Sequence, residues 1–129
     1  MFTGTVTVSP EATIAEASDL MRELDVRHLP VVEGGVLVGM LSDRDLVSMG
    51  DGRRLGDESS ATLEAYLATP VVRIMSTDVI AVEPDSELSE IVGLMLQNRV
   101  GAIPVIRAGS QKVLGIVSYV DVLRAVQDL

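Results

Sequence analysis

Two periodicities alternate along this chain. Apolar residues recur at helical spacing over Ile14, Ala17, Leu20, Met21 and Leu24, which predicts a helix over Ile14–Leu24 with one buried face. Thr13 with Glu16 is a capping-box pattern at its start. Thr5–Val8 before it reads as a short strand closed by Ser9-Pro10. After it, Leu29–Val32 and Val36–Leu41 are β-rich runs joined at Gly34-Gly35, which predicts a hairpin. Ser42 then opens a helix toward Met49. The order is strand, helix, strand, strand, helix.

The same order returns. Val8-Ser9-Pro10-Glu11 recurs as Val82-Glu83-Pro84-Asp85, and Leu29-Pro30-Val31-Val32 as Ile103-Pro104-Val105-Ile106, both 74 positions on. Gly39-Met40-Leu41-Ser42 recurs as Gly115-Ile116-Val117-Ser118 at 76. The added residues fall between Arg107 and Lys112, opposite the Gly34-Gly35 turn, where a repeat tolerates a change of length. In the second copy Leu88, Ile91, Val92 and Met95 mark the helix stripe. Ile103–Ile106 and Val113–Val117 form the hairpin, and Tyr119–Gln127 the closing helix. Between the copies, Gly50–Ser60 reads as a loop containing Arg53-Arg54, and Ala61–Ala68 as a connecting helix. The chain divides into a first unit over 1–50, a linker with a short helix over 51–74 and a second unit over 75–129. A unit of about 50 residues holds a marginal core, so the copies are expected to pack together with pseudo-two-fold symmetry and related clefts. The fold class is α/β (α+β), as duplicated β-α-β-β-α units.

Composition narrows the chemistry. The chain has 129 residues, with 10 basic and 19 acidic side chains and a formal charge of −9. Such a surface repels phosphate backbones, so no nucleic acid is expected as partner. Apolar residues make up 47%, enough for a packed core, yet Phe2, Tyr66 and Tyr119 are the only aromatics. Without cysteine there are no disulfides or thiolate metal sites. No apolar run approaches the roughly 20 residues of a membrane span, and the N-terminus lacks a signal-peptide pattern. No membrane insertion and a cytoplasmic location are expected. His28 is the only histidine, Asp43, Asp45 and Asp51 do not fit a calcium loop, and no Walker or dinucleotide pattern occurs. A metal site and catalysis are therefore not expected.

The candidate chemistry lies in Gly39-Met40-Leu41-Ser42-Asp43-Arg44-Asp45 and Gly115-Ile116-Val117-Ser118-Tyr119-Val120-Asp121. In each, an apolar strand runs into Ser-x-x-Asp at a helix start. Unpaired N–H groups and the Ser hydroxyl suit a phosphate, and the Asp suits vicinal ribose hydroxyls. Gly39 and Gly115 offer close approach to the backbone. The same pattern is also an ordinary N-terminal cap. His28 reads as either a phosphate contact or a structural histidine, with Ala102 at its counterpart.

Val26-Arg27-His28-Leu29-Pro30-Val31-Val32 followed by Val38–Leu46 resembles the CBS domain, named after cystathionine β-synthase. Val72-Arg73-Ile74-Met75-Ser76 before Val79, then Val100–Ile106 and Leu114–Val122, resembles a second, so the resemblance covers nearly the whole chain. The first copy begins almost directly at Thr5, so either it lacks the Met75-type lead-in or the chain is cut from something longer. Paired CBS domains form a Bateman module that senses adenosine-containing ligands and commonly dimerises. The resemblance implies Asp45 and Asp121 as ribose ligands, Ser42 and Ser118 as phosphate ligands, and AMP, ADP, ATP or S-adenosylmethionine as regulatory ligand, with no cofactor required. Arg44 is placed to meet a phosphate, and Val120 offers no such charge, so the first motif is expected to favour phosphorylated ligands. Val26, Leu29, Val100 and Ile103 are the candidate adenine walls, with backbone contacts near Val6 and Ile80. A homodimer and an unidentified regulated enzyme or transporter are the implied partners. The alternative is a ligand-independent interaction or dimerisation module.

Overall fold

The computed structural model describes residues 6–46 and 60–129, which fall into two units. The N-terminal unit gathers Val6–Glu33 and Val38–Thr77; Gly34–Leu37 and Asp78–Leu129 belong to the C-terminal unit. The architecture is α+β with two small two-stranded sheets. The expected loop over Gly50–Ser60, with Arg53-Arg54, and the helix end at Met49 lie outside the described residues, apart from Ser60.

In the N-terminal unit, α1 (Ile14–Leu24) starts at a full capping box. The Glu16 N–H donates to Thr13 Oγ1 at 3.1 Å and the Thr13 N–H to Glu16 Oε1 at 2.8 Å. Ile14, Ala17 and Met21 are buried on its stripe, whereas Leu24, expected there, is exposed. The helix stops because Asp25 turns left-handed (φ 56°) and the Val26 N–H reaches back to the Met21 carbonyl at 3.0 Å. β1 (His28–Glu33) and β2 (Val36–Ser42) pair across Gly34 and Gly35, whose φ of 61° and 84° match a turn in which both central residues are left-handed. Residues 43–46 are helical, and α2 (Ser60–Leu67) is the expected connecting helix.

The C-terminal unit repeats this order. α3 (Leu88–Asn98) ends at Arg99, also at φ 56°, with the Val100 N–H on the Met95 carbonyl at 3.2 Å. β3 (Ala102–Ile106) pairs antiparallel with β4 (Val113–Ser118), and α4 (Tyr119–Gln127) closes the copy. The turn of the first hairpin joins this unit: the Leu37 N–H donates to the Gln111 carbonyl at 2.9 Å.

The cores match position by position. Val8, Ala17, Met21, Leu29, Val31 and Leu41 of one cluster answer Val82, Ile91, Met95, Ile103, Val105 and Val117 of the other, and Val122 of the second answers Leu46, partly buried against the first. One member breaks the correspondence. Val71, fully buried in the N-terminal core, sits in a 3-10 turn (Val71–Arg73) with no partner residue in the C-terminal cluster. Its segment is held by main-chain bonds: Ile14 N–H to the Thr69 carbonyl at 2.9 Å, Val71 N–H to Ala12 at 2.8 Å and Val72 N–H to Pro10 at 3.1 Å. Farther on, Met40 and Ser76 exchange two bonds of 2.9 Å. The lead-in to the second copy in sequence thus completes the unit of the first.

Two expectations need correcting. The strand over Thr5–Val8 reduces, among the described residues, to a single parallel bridge between Val8 and Val31, matched by Val82 with Val105. Gly39 is crowded by the protein itself: a Cβ there would lie 2.5 Å from Met75 Sδ and 2.9 Å from the Ser76 carbonyl oxygen. Its lack of a side chain serves the pairing of Met40 with Ser76, not the approach of a ligand.

Candidate ligand-binding site

Both Ser-x-x-Asp motifs begin where a hairpin's second strand turns into a helix. The junction is fixed to the start of the partner strand. The Asp43 N–H donates to the Arg27 carbonyl, and the Tyr119 N–H to the Gly101 carbonyl, each at 2.9 Å. Hairpin register therefore brings Arg27 and His28 beside Ser42–Asp45, and Gly101 and Ala102 beside Ser118–Asp121.

Within each motif the serine and aspartate cap one another. The Ser42 N–H donates to Asp45 Oδ2 at 2.8 Å and the Asp45 N–H to Ser42 Oγ at 3.1 Å. The Ser118 N–H donates to Asp121 Oδ2 at 2.8 Å and the Asp121 N–H to Ser118 Oγ at 3.3 Å. Each carboxylate spends one oxygen on its cap; Oδ1 of Asp45 and of Asp121 accepts no hydrogen bond among the described residues. The motifs differ in one bond. Ser118 Oγ also donates to Asp121 Oδ2 at 3.0 Å, and Ser42 makes no equivalent donation among the described residues.

The charged surroundings differ more. Arg27 Nη1 pairs with Asp43 Oδ2 at 3.2 Å on the surface. Arg44 is exposed and makes no hydrogen bond or ion pair among the described residues. His28, first residue of β1, is half-buried. Burial lowers its pKa below the ordinary 6.5; Asp43 and Asp45 oppose the shift, and Arg44 and Arg27 add to it. At the corresponding places the second motif has Gly101, Ala102, Tyr119 and Val120, none of them charged.

The apolar candidates separate into two groups. Val26 and Val100, just past the two left-handed helix ends, are 39% and 37% exposed. Val6 is exposed and Ile80 half-buried. Leu29 and Ile103, expected as adenine walls, are 1% and 0% exposed and belong to the two cores. In this structure they have no surface to offer a ligand. The pairing of Arg27 with Asp43 was missed by sequence reasoning; its only signal was the position of Arg27 directly before His28, and it needed the hairpin register. No cluster of His, Asp or Glu suited to a metal ion occurs among the described residues, and none of their helices is long and apolar enough to cross a membrane.

A duplicated β-α-β-β-α chain with a self-capped Ser-x-x-Asp in each copy defines the class: a tandem repeat module. The family model described as the CBS domain matches residues 1–51 and 71–128, and the chain belongs to that family as a tandem CBS pair. It is 35% identical over 121 residues to the CBS domain-containing protein YhcV of Bacillus subtilis, covering 94% of this chain and 78% of that protein. Among solved structures it is similar to protein MJ1225 of Methanocaldococcus jannaschii, with TM-score 0.87 and 25% identity, over 98% of this chain and 45% of that one. It is also similar to CBSX2, solved in complex with AMP, with TM-score 0.79 and 25% identity, over 97% of this chain and 89% of that one.

Proposed function

We propose that the chain is a regulatory, non-catalytic module that binds adenosine-containing nucleotides at its two Ser-x-x-Asp motifs. AMP, ADP and ATP are the candidate ligands, with S-adenosylmethionine a further one. The observation that carries this reading is the division of labour within Asp45 and Asp121. One oxygen is fixed by the cap, which holds the carboxylate in place, and the other is left to accept from ribose hydroxyls. A cap and a ribose ligand are therefore compatible roles of one side chain. In the first motif, the Ser42 hydroxyl, Arg44 and His28 are the groups for a phosphate. Val26 and Val100 supply exposed aliphatic surface for adenine, and the backbone near Val6 and Ile80 is the candidate for edge contacts. The AMP complex of CBSX2 supports this ligand class. The module acts in the cytoplasm, as two CBS domains over 1–50 and 75–129, on an enzyme or transporter that reads its ligand state.

A second reading is favoured by one specific surface. Tyr119, Val120, Leu123 and Val126 of α4 are exposed apolar residues at helical spacing, as a ligand-independent dimerisation module would present them. The two readings separate in a thermal-shift panel of adenine, guanine and S-adenosyl compounds. A ligand at about 100 times its Kd stabilises the fold by roughly 2.7 kcal/mol, a melting shift on the order of several degrees. A shift with an adenosine compound and none with its guanosine counterpart is the expected result. No shift with any adenosine compound overturns the sensor reading.

A further inference from the structure

His28 stands out as a half-buried imidazole that makes no hydrogen bond or ion pair among the described residues. Its electrostatic neighbours are all named groups: Arg27 on the approach to its own strand, and Asp43, Arg44 and Asp45 on the helical turn that follows β2. These four charges sum to zero, and one of each sign is already spent in the pair between Arg27 and Asp43. Beside that pair, His28 has near it the guanidinium of Arg44, which makes no ion pair among the described residues, and the capped carboxylate of Asp45. Burial thus outweighs the pull of Asp43 and Asp45, and the imidazole holds a proton less readily than in water.

A phosphate monoester would change that balance. At neutral pH it carries about −1.5 to −2 charges. Held by Arg44 and the Ser42 hydroxyl, it would face the imidazole and favour its protonated form, giving a charge-assisted hydrogen bond. We propose that His28 couples phosphate binding at the first motif to uptake of a proton from solvent, and that the second motif has no such coupling. The second half follows from Ala102, a buried side chain without a titratable atom at the corresponding place, and from the absence of a counterpart to Arg44. The first motif thereby reads acidity together with phosphorylated ligand, and the second reads ligand alone. This inference rests on the nucleotide-binding reading above.

His28 being the chain's only histidine makes the test direct. The ring-proton resonance of His28 is titrated by NMR in the tag-free chain, alone, saturated with AMP and saturated with adenosine. Binding itself is followed by calorimetry in the same samples. The expected result is a titration midpoint that rises by about one pH unit or more with AMP and stays in place with adenosine. One unit corresponds to a tenfold preference of AMP for the protonated protein. AMP that binds without moving the midpoint, or adenosine that moves it equally, overturns the proposal. If neither compound binds, the phosphorylated adenosine compound that shifts the melting temperature takes the place of AMP; if none does, the nucleotide-binding reading fails and this inference falls with it.

Discussion

Ser118 and Asp121 hold one another from both sides: the Ser118 N–H donates to Asp121 Oδ2 at 2.8 Å, and the Asp121 N–H donates to Ser118 Oγ at 3.3 Å. The start of α4 thus depends on the two side chains as a unit. Ser118→Ala is expected to cost about 1 kcal/mol, the usual worth of an N-cap. Asp121→Ala is expected to cost a similar amount, and the double variant less than the sum, because either change breaks the reciprocal pair. Urea unfolding of the two single variants and the double variant measures this. Strict additivity would contradict the coupling.

The pairing of Met40 with Ser76 leaves no room for a side chain at Gly39. Gly39→Ala is expected to destabilise the protein by about 1–3 kcal/mol, the range for overpacking. Gly93, inside α3 with nothing within 4 Å of its Cβ position, is the control. Gly93→Ala is expected to stabilise by about 0.5–1 kcal/mol, because alanine loses less backbone freedom in a helix. Opposite shifts of Tm in the two variants are the result to look for.

Val71 links the lead-in of the second copy to the core of the first. Val71→Ala removes two buried carbon atoms and leaves a cavity, at a cost of about 2 kcal/mol. Amide exchange locates the damage: protection is expected to fall in α1 around Ala17 and Met21 more than in α3.

His28 also sets a pH dependence of stability. Its folded pKa lies below the unfolded value of 6.5, so the unfolded chain binds the proton more readily. The stabilisation from keeping the imidazole neutral is complete above pH 6.5 and is lost as pH falls from there through the folded value. His28→Gln is expected to flatten this part of the stability profile without changing the part above about pH 7.5. Tm measured across pH 5–8 for both proteins reads the difference.

Much of this was legible in the residues. The offsets of 74 and 76 placed both helices, both hairpins and, except for Leu24, the buried stripe of α1, because helical and turn signals are local. The capping of Ser42 with Asp45 and of Ser118 with Asp121 was one of the two readings that their spacing offered. The faces of the strands were not legible. β1 is buried continuously over Leu29, Pro30 and Val31, and β3 over Ala102–Val105, so alternation gave no sign that Leu29 and Ile103 turn into the cores. The docking of Thr69–Ser76 onto the N-terminal unit depends on main-chain bonds to residues more than thirty positions away, which leave no pattern in side-chain type. The placing of Arg44 beside His28 likewise became visible only with the hairpin register.

The central claim is that Asp45 and Asp121 serve as ligand groups as well as caps, and Asp→Asn substitution separates the roles. Asparagine keeps one oxygen for the serine N–H and replaces the free acceptor with a donor. Calorimetric titration of AMP into the wild-type chain and into the Asp45→Asn, Asp121→Asn double variant tests this directly. The account predicts saturable binding that weakens by about tenfold or more in the variant, the loss expected for a hydrogen bond to a charged group, with Tm nearly unchanged. Wild-type protein that binds neither AMP nor any other adenosine compound, or a variant that binds as tightly as the wild type, would contradict the account.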